Sequence, residues 1–273
     1  MEEAIKENRL SRYKYFPKKV ELTEKEFEKY KNITKQLLKY IDPSTKEFKK
    51  CPEVEKLLLS RKRIIHKAEN KIAAFEEIIN KEFEKRQNLK YTLVYVPEGI
   101  DSNFEKSDEL IEDDDKAKLI NAYTKIVSGV DSSVMVRQFT GNTKDRENIL
   151  NNFQGGEIHV LTSMKCLDEG VDVPRTELAI FCSSIGNPRQ FIQRRGRVLR
   201  LHKDKKYALI YDLVVVPFIG YGEDTFELEK NLLKNELKRV IDFSNLSMNK
   251  TDTYQELEDV LEHYNLSLYG NKN

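Results

Sequence analysis

The hydrophobic pattern of the chain changes period near residue 90. Before it, apolar residues recur at helical spacing: Phe27, Tyr30, Ile33 (or Thr34), Leu37 and Ile41, then Val54, Leu58, Ile65, Ala68, Ile72, Phe75, Ile79 and Phe83. Residues 1–90 are accordingly read as helical. Thr23 followed by Glu26 forms a capping box, Asp42-Pro43 ends the first helix, and Pro52 suits the first turn of the next. From Lys90 onward, short continuous apolar runs alternate with helical stretches. Strands are expected over 91–96, 133–138, 158–161, 177–182 and 207–216, and helices over 117–127, 144–153 and 188–199. Uninterrupted apolar strands alternating with helices describe a parallel sheet covered on both faces. The acidic stretch 105–115 carries neither period and reads as an exposed loop. After residue 223 the pattern returns to helix with an acidic outer face. Three segments follow: a helical arm over 1–90, an α/β domain over 91–222 and a helical extension over 223–273.

Composition narrows the function classes. At 39% hydrophobic and 34% charged residues, with no apolar run long enough to span a bilayer and no signal-peptide pattern, a cytoplasmic protein without a membrane partner is expected. Cys51, Cys166 and Cys182 are scattered, as are the four histidines, so no metal site is expected from this chain's own ligands. The net charge of +1 hides an uneven distribution, with a lysine-rich arm, an acidic stretch over 105–115 and a basic stretch over 189–206. A local basic surface, not the sum, decides nucleic-acid binding. In the arm, Lys56, Arg61, Lys62, Arg63, Lys67 and Lys71 either touch a nucleic-acid backbone or form the solvated face of a helical hairpin. The solvated face is the expectation.

The most concentrated chemistry is at 190–200, Gln-Phe-Ile-Gln-Arg-Arg-Gly-Arg-Val-Leu-Arg. On a helix, Gln193, Arg197 and Arg200 share one face, while Phe191, Ile192, Val198 and Leu199 pack toward the core. Guanidinium offers a planar fork of donors that stays charged, which suits a phosphate group. Two further clusters precede it, each after an expected strand: Phe139-Thr140-Gly141 with Arg146, and 161–174, which runs from Leu161-Thr162-Ser163 through Gly170-Val171-Asp172 to Pro174. Ligands of parallel sheets gather at the carboxyl ends of the strands, so all three clusters are expected at that edge.

In this order and on this scaffold, the clusters resemble motifs IVa, V and VI of the second RecA-like domain of superfamily 2 helicases and translocases. The likeness is nearest to the XPB-like and type III restriction-like branch. Residues 3–38, with Ala4-Ile5, 13–17 and 20–23, look like the connector that follows the first motor domain in XPB-like DNA helicases. The resemblance implies a P-loop NTPase-like, RecA-like helicase C-terminal domain with helical additions on both sides. It also implies roles residue by residue. Arg197 and Arg200 match arginine fingers that reach the γ-phosphate, and Gln193 matches a partner near the phosphates or the attacking water. Arg194 is a motif position bridging to the other motor domain or the nucleotide. Gly170 permits close backbone approach, and Asp172 matches the carboxylate on the ribose hydroxyls, with a turn cap as the alternative. Thr162 and Ser163 match donors to a nucleic-acid phosphate, although the family's usual threonine position falls here on Met164. Gly141 and Arg146 resemble a second backbone contact, with a structural Arg146 as the alternative. Arg189 and Arg195 have no implied role and are expected to be solvent-exposed.

The implied cofactors are ATP and Mg²⁺, and the implied partners are DNA and a first RecA-like domain of the same polypeptide, with a nuclease or a repair or restriction partner beyond them. A phosphate-cradling loop needs a Gly-Lys pair, and this sequence contains none. Asp168-Glu169 and Asp212 imitate a magnesium-binding acidic box, but neither has its context. The chain is thus expected to supply arginine fingers and DNA contacts but not the phosphate-binding half, and to be inactive alone. A non-catalytic nucleic-acid or protein-binding module with a helicase-like fold is the rival reading.

Overall fold

The computed structural model describes residues 2–42, 44, 47–97, 109–164, 173–183, 188–217 and 226–268. Its centre is a sheet of six parallel strands: β1 (Tyr13–Glu21), β2 (Thr92–Tyr95), β3 (Val136–Phe139), β4 (Val160–Ser163), β5 (Leu178–Phe181) and β6 (Ala208–Val216). Their spatial order is β1-β6-β5-β2-β4-β3. Side chains alternate between two cores, as the pleat requires. On one face lie Tyr15, Leu93, Tyr95, Phe181, Ile210 and Val214. On the other lie Val20, Val94, Val96, Ile180, Leu213 and Val215. Burial on both faces explains why these strands read as continuous apolar runs.

Helices α6 (Arg146–Gly155), α7 (Pro188–Val198), α8 (Phe226–Ser244) and α9 (Lys250–His263) cover the first face, through residues such as Phe153, Phe191, Leu237 and Leu257. Helices α2 (Glu24–Leu38), α4 (Asn70–Arg86) and α5 (Glu109–Val130) cover the second, through Phe27, Phe75, Ile79 and Tyr123. A short α1 (Glu2–Lys6) and α3 (Pro52–His66) complete the helices among the described residues. The Thr23–Glu26 capping box forms with both reciprocal hydrogen bonds, and Pro52 sits at the start of α3.

Four expectations are corrected. Residues 1–90 are not helical throughout, because Tyr13–Glu21 is the edge strand β1, paired in parallel with β6 from Tyr13↔Ala208 to Glu21↔Val216. Pro17 is tolerated there because an edge strand leaves one row of amides unpaired. The open edge is partly closed by Asn249: its Oδ1 accepts from the Tyr15 amide at 2.8 Å, and its Nδ2 donates to the Tyr15 carbonyl at 3.0 Å. The arm is not a solvated hairpin either. Its long apolar stripe is split into α3 and α4, and α4 packs on the sheet with Phe75 edge-on to Tyr123 at 4.8 Å. Lys71, expected on the solvated face, is 1% exposed. Lastly, the acidic stretch is helical from Glu109, where α5 begins, while 98–108 lie outside the described residues.

Candidate nucleotide and nucleic-acid interface

Helix α7 begins beyond the carboxyl end of β5 and returns to the amino end of β6, so its two ends serve opposite edges of the sheet. Phe191, Val198 and Leu199 are buried as expected, whereas Ile192 is exposed. Gln193 is exposed, and Arg197 and Arg200 are half-buried. Arg200 lies just past the helix, its amide 3.3 Å from the Arg197 carbonyl. The main chain around it is anchored to the amino end of β1. The Ser11 amide donates to the Leu199 carbonyl at 2.7 Å, and Ser11 Oγ donates to the Arg200 carbonyl at 3.3 Å. The arginine pair therefore sits at the amino edge of the sheet, not at the carboxyl edge expected from the general rule for parallel sheets.

The same edge receives the end of the second motif. Gly170 and Asp172 lie outside the described residues, but Val173 and Pro174, which follow them, lead into β5 there. Lys205 ties the two motifs together. Its Nζ donates to the carbonyls of Val198 at 2.9 Å, Pro174 at 3.0 Å and Arg200. An ammonium has three donors, and here all three meet carbonyls, at a helix C-terminus where the helix dipole also favours a cation. Burial pulls the Lys205 pKa down to about 8, with the Glu177 carboxylate opposing. Sequence reasoning missed this residue, because inside the basic run of Lys203, Lys205 and Lys206 nothing marks it apart from its neighbours. Replacing Lys205 by methionine keeps the stem but orphans three carbonyls. The expected result is a loss of about 1–3 kcal/mol in urea unfolding, against no measurable change for Lys206→Met.

Arg194 and Arg195 are both buried, at 1% and 4% exposure. Arg194 belongs to the carboxyl edge: its guanidinium donates to Ser183 Oγ at 3.2 Å and lies over the Tyr95 ring at 5.0 Å. Arg195, expected in solvent, instead donates to the Asp242 carbonyl at 2.6 Å and packs over Phe243 at 4.7 Å. The side chain of Arg189 lies outside the described residues.

The candidate nucleic-acid residues cluster at the carboxyl edge. Thr162 and Ser163 end β4 and are both fully buried. Thr162 Oγ1 is 2.9 Å from Thr124 Oγ1 on α5, so this hydroxyl already has a partner inside the fold. Gly141 is exposed after β3, and a Cβ added there would meet nothing within 4 Å, so packing does not demand a glycine. Arg146 opens α6 with its guanidinium 4.7 Å over the Phe139 ring, a packing contact that leaves it half-exposed. With four residues in β4, the two edges stand about 13 Å apart. The fold thus brings Arg197 and Arg200 together with the start of β5, and holds Thr162, Ser163, Gly141 and Arg146 at the far side.

The arginine edge fits a nucleotide phosphate by charge and donor count. Asp212 does not fit a metal role. It is fully buried, and its Oδ2 accepts from Tyr15 Oη and from Arg239 Nε, each at 2.8 Å. Asp168 and Glu169 lie outside the described residues. Among the described residues no group of three histidine, cysteine, aspartate or glutamate side chains is placed to hold a metal, and no helix is long and apolar enough to cross a membrane.

Known proteins resemble this chain in sequence and in fold. Residues 102–202 fit the model of the helicase conserved C-terminal domain. A DNA 3'-5' translocase XPB2 from Sulfurisphaera tokodaii is 28% identical over 75% of this chain and 44% of its own length. The DNA 3'-5' helicase XPB of Mycobacterium tuberculosis is 29% identical over 37% of this chain and 19% of its own length. The chain therefore spans less than half of these relatives. Among solved structures, the SWI2/SNF2 ATPase core of Sulfolobus solfataricus in complex with double-stranded DNA superposes with a TM-score of 0.50 at 17% identity, covering 93% of this chain and 50% of that one. Motif order, a six-stranded parallel sheet of RecA-like fold and these likenesses agree on a helicase C-terminal domain, matched over residues 102–202.

Proposed function

We propose that this chain is the second lobe of an ATP-driven DNA translocase or helicase, with its amino edge turned to the nucleotide and its carboxyl edge to the nucleic acid. The observation that carries this reading is the placement of Arg197 and Arg200. Two half-buried guanidiniums stand on a segment whose main chain is fixed by Ser11 and Lys205. Fixed donors aimed at developing charge stabilise a transition state more than mobile ones, because they need no reorganisation. Arg197 and Arg200 would act on the γ-phosphate, with Gln193 on the exposed side of the same helix and Asp172 on the ribose. The phosphate-cradling loop and the Mg²⁺ carboxylates would come from a first RecA-like domain. At the other edge, Gly141 and Arg146 would contact a DNA backbone, Arg146 from its place over the Phe139 ring. Thr162 would have to exchange its bond to Thr124 for a phosphate, and Ser163, equally buried, stands beside it at the end of β4.

Division of labour between lobes sets the test. The purified 273-residue chain is expected to hydrolyse ATP no faster than buffer and to bind DNA weakly, with an affinity that falls steeply with salt. Joined to a domain bearing a Gly-Lys-Thr loop, it is expected to show DNA-stimulated turnover. Robust hydrolysis by the isolated chain would overturn the reading, and salt-insensitive DNA binding would remove the backbone-contact part of it.

A further inference from the structure

The stretch 173–177, which enters β5 at the amino edge, is pinned from α4, α6 and the start of β2. Thr176 Oγ1 donates to the Val173 carbonyl at 2.9 Å and closes a tight turn across Pro174. Arg175 lays its guanidinium 4.0 Å over the Tyr91 ring and donates to the Gln154 carbonyl of α6 at 3.2 Å. Arg86, at the end of α4, pairs with Glu177 at 3.3 Å, and the Glu177 amide donates to the Tyr91 carbonyl at 2.9 Å. Tyr91 itself sits in the left-handed region at φ 61°, a conformation that a bulky side chain keeps only where its surroundings impose it. Together these contacts make 173–177 a rigid abutment.

The turn that carries Arg200 is anchored differently. Helix α7 ends at Val198, and beyond it the main-chain carbonyls accept from Ser11 and from Lys205. Ser11 ties this turn to the chain just before β1. Lys205 ties it to the abutment, because the Nζ that bonds the Val198 and Arg200 carbonyls also donates to the Pro174 carbonyl at 3.0 Å. An ammonium has three donors, so a single atom spends two on the arginine turn and one on 173–177. At 8% exposure Lys205 has exchanged water for these carbonyls, which fixes the bridge in place.

We propose that Lys205 is a positioning residue: it passes the rigidity of 173–177 to the turn bearing Arg200, and so sets where that guanidinium stands against a nucleotide phosphate. The proposal rests on the reading of Arg200 as a phosphate contact, and it gives Lys205 a part in turnover beyond its part in stability. Lys205 itself does not touch the nucleotide, since its donors are spent on main-chain carbonyls.

The first readout needs no nucleotide. Backbone order parameters from nuclear magnetic resonance are about 0.85 for rigid backbone and below about 0.6 for flexible backbone. In the 273-residue chain, Lys205→Met is expected to lower the values at 199–201 toward the second figure. Those at 175–177 and in β6 should stay high, because the abutment keeps its other contacts. Lower global stability alone leaves this pattern unchanged as long as the chain is folded.

The second readout is a double-mutant cycle in a protein that joins this chain to an ATP-binding first lobe. Lys205→Met is expected to lower kcat of DNA-stimulated turnover about 10-fold or more, a misplacement of about 1 Å being worth roughly 10²-fold, with KM for ATP little changed. In the Arg200→Ala background the same change should cost nothing further, because the group being positioned is gone. Lys206→Met, at an exposed neighbouring position, is the control and should leave both readouts unchanged. Lys205→Gln keeps donors on a stem too short to reach all three carbonyls, and should show the same two effects if the methionine variant does not fold. Equal losses of turnover in both backgrounds, no loss at all, or unchanged order parameters at 199–201 would overturn the proposal, while a damaging Arg200→Ala would still stand for the arginine finger. Arg200→Ala without effect would overturn both.

Discussion

Changing Arg200 to alanine, in a protein that joins this chain to an ATP-binding first lobe, is expected to lower DNA-stimulated ATP turnover by about 10³–10⁵-fold. The substitution is clean for a structural reason. Ser11 Oγ and Lys205 Nζ both bond the main-chain carbonyl of Arg200, so the anchor survives when the guanidinium is removed. The loss should therefore fall on turnover, with nucleotide affinity and unfolding midpoint little changed. Arg200→Lys is expected to recover only part of the rate, because an ammonium is a point charge and cannot offer the planar fork of two parallel donors. Arg197→Ala should be comparably damaging, and the double variant little worse than either single one, since groups acting on one phosphate are not additive. Turnover by Arg200→Ala at the wild-type rate would remove the arginine-finger assignment and favour the reading of a binding module that kept a helicase fold.

What the sequence revealed, and what it concealed, follows from where each signal is stored. Strands β2, β4, β5 and β6 were legible because burial on both faces leaves them no polar positions except Thr92, Thr162, Ser163 and Asp212. β1 was not, because Pro17, Lys18 and Lys19 interrupt its pattern and an edge strand has solvent on one side to accommodate them. Its apolar register, Tyr13 and Tyr15 to one core and Val20 to the other, is a strand period hidden between two helical ones. The arginines of α7 were legible as chemistry, but the edge they occupy was not. A helix that leaves the carboxyl end of β5 must travel back to the start of β6, so its last turn belongs to the amino edge. Lys205 gave no signal, since its partners are carbonyl groups that every residue possesses. The Thr162 hydroxyl was read as a free donor because its partner, Thr124, comes from a helix that the sequence could not orient. Arg195 shows the same limit: its acceptor is a carbonyl on α8, far along the chain.

The largest stability effect is expected at Arg239. It is 4% exposed, its Nε lies 2.8 Å from Asp212 Oδ2, and its terminal nitrogen lies 3.1 Å from Glu236 Oε2. Burial works against its charge, but the carboxylates of Asp212 and Glu236 more than offset this, and its pKa is raised. Tyr15 completes the network by donating to the same Asp212 oxygen at 2.8 Å. The cluster joins β1, β6 and α8, so it couples the edge strand to the helix layer. Replacing Arg239 by leucine leaves two carboxylates in the interior without their guanidinium, facing the buried Lys71. Breaking one side of a buried pair costs about 3–5 kcal/mol, because the orphaned charge cannot return to water. Urea unfolding at pH 7 should show a loss of that order. Replacing all three members by apolar residues, as Arg239→Leu/Asp212→Leu/Glu236→Leu, should regain most of the loss, because a buried ionic cluster gives little net stability over well-packed hydrophobic side chains. A single variant as stable as the wild type would mean that water or a neighbouring group reaches Asp212. A triple variant no better than the single one would mean that the network sets the packing of β1 against α8, not merely its charge balance.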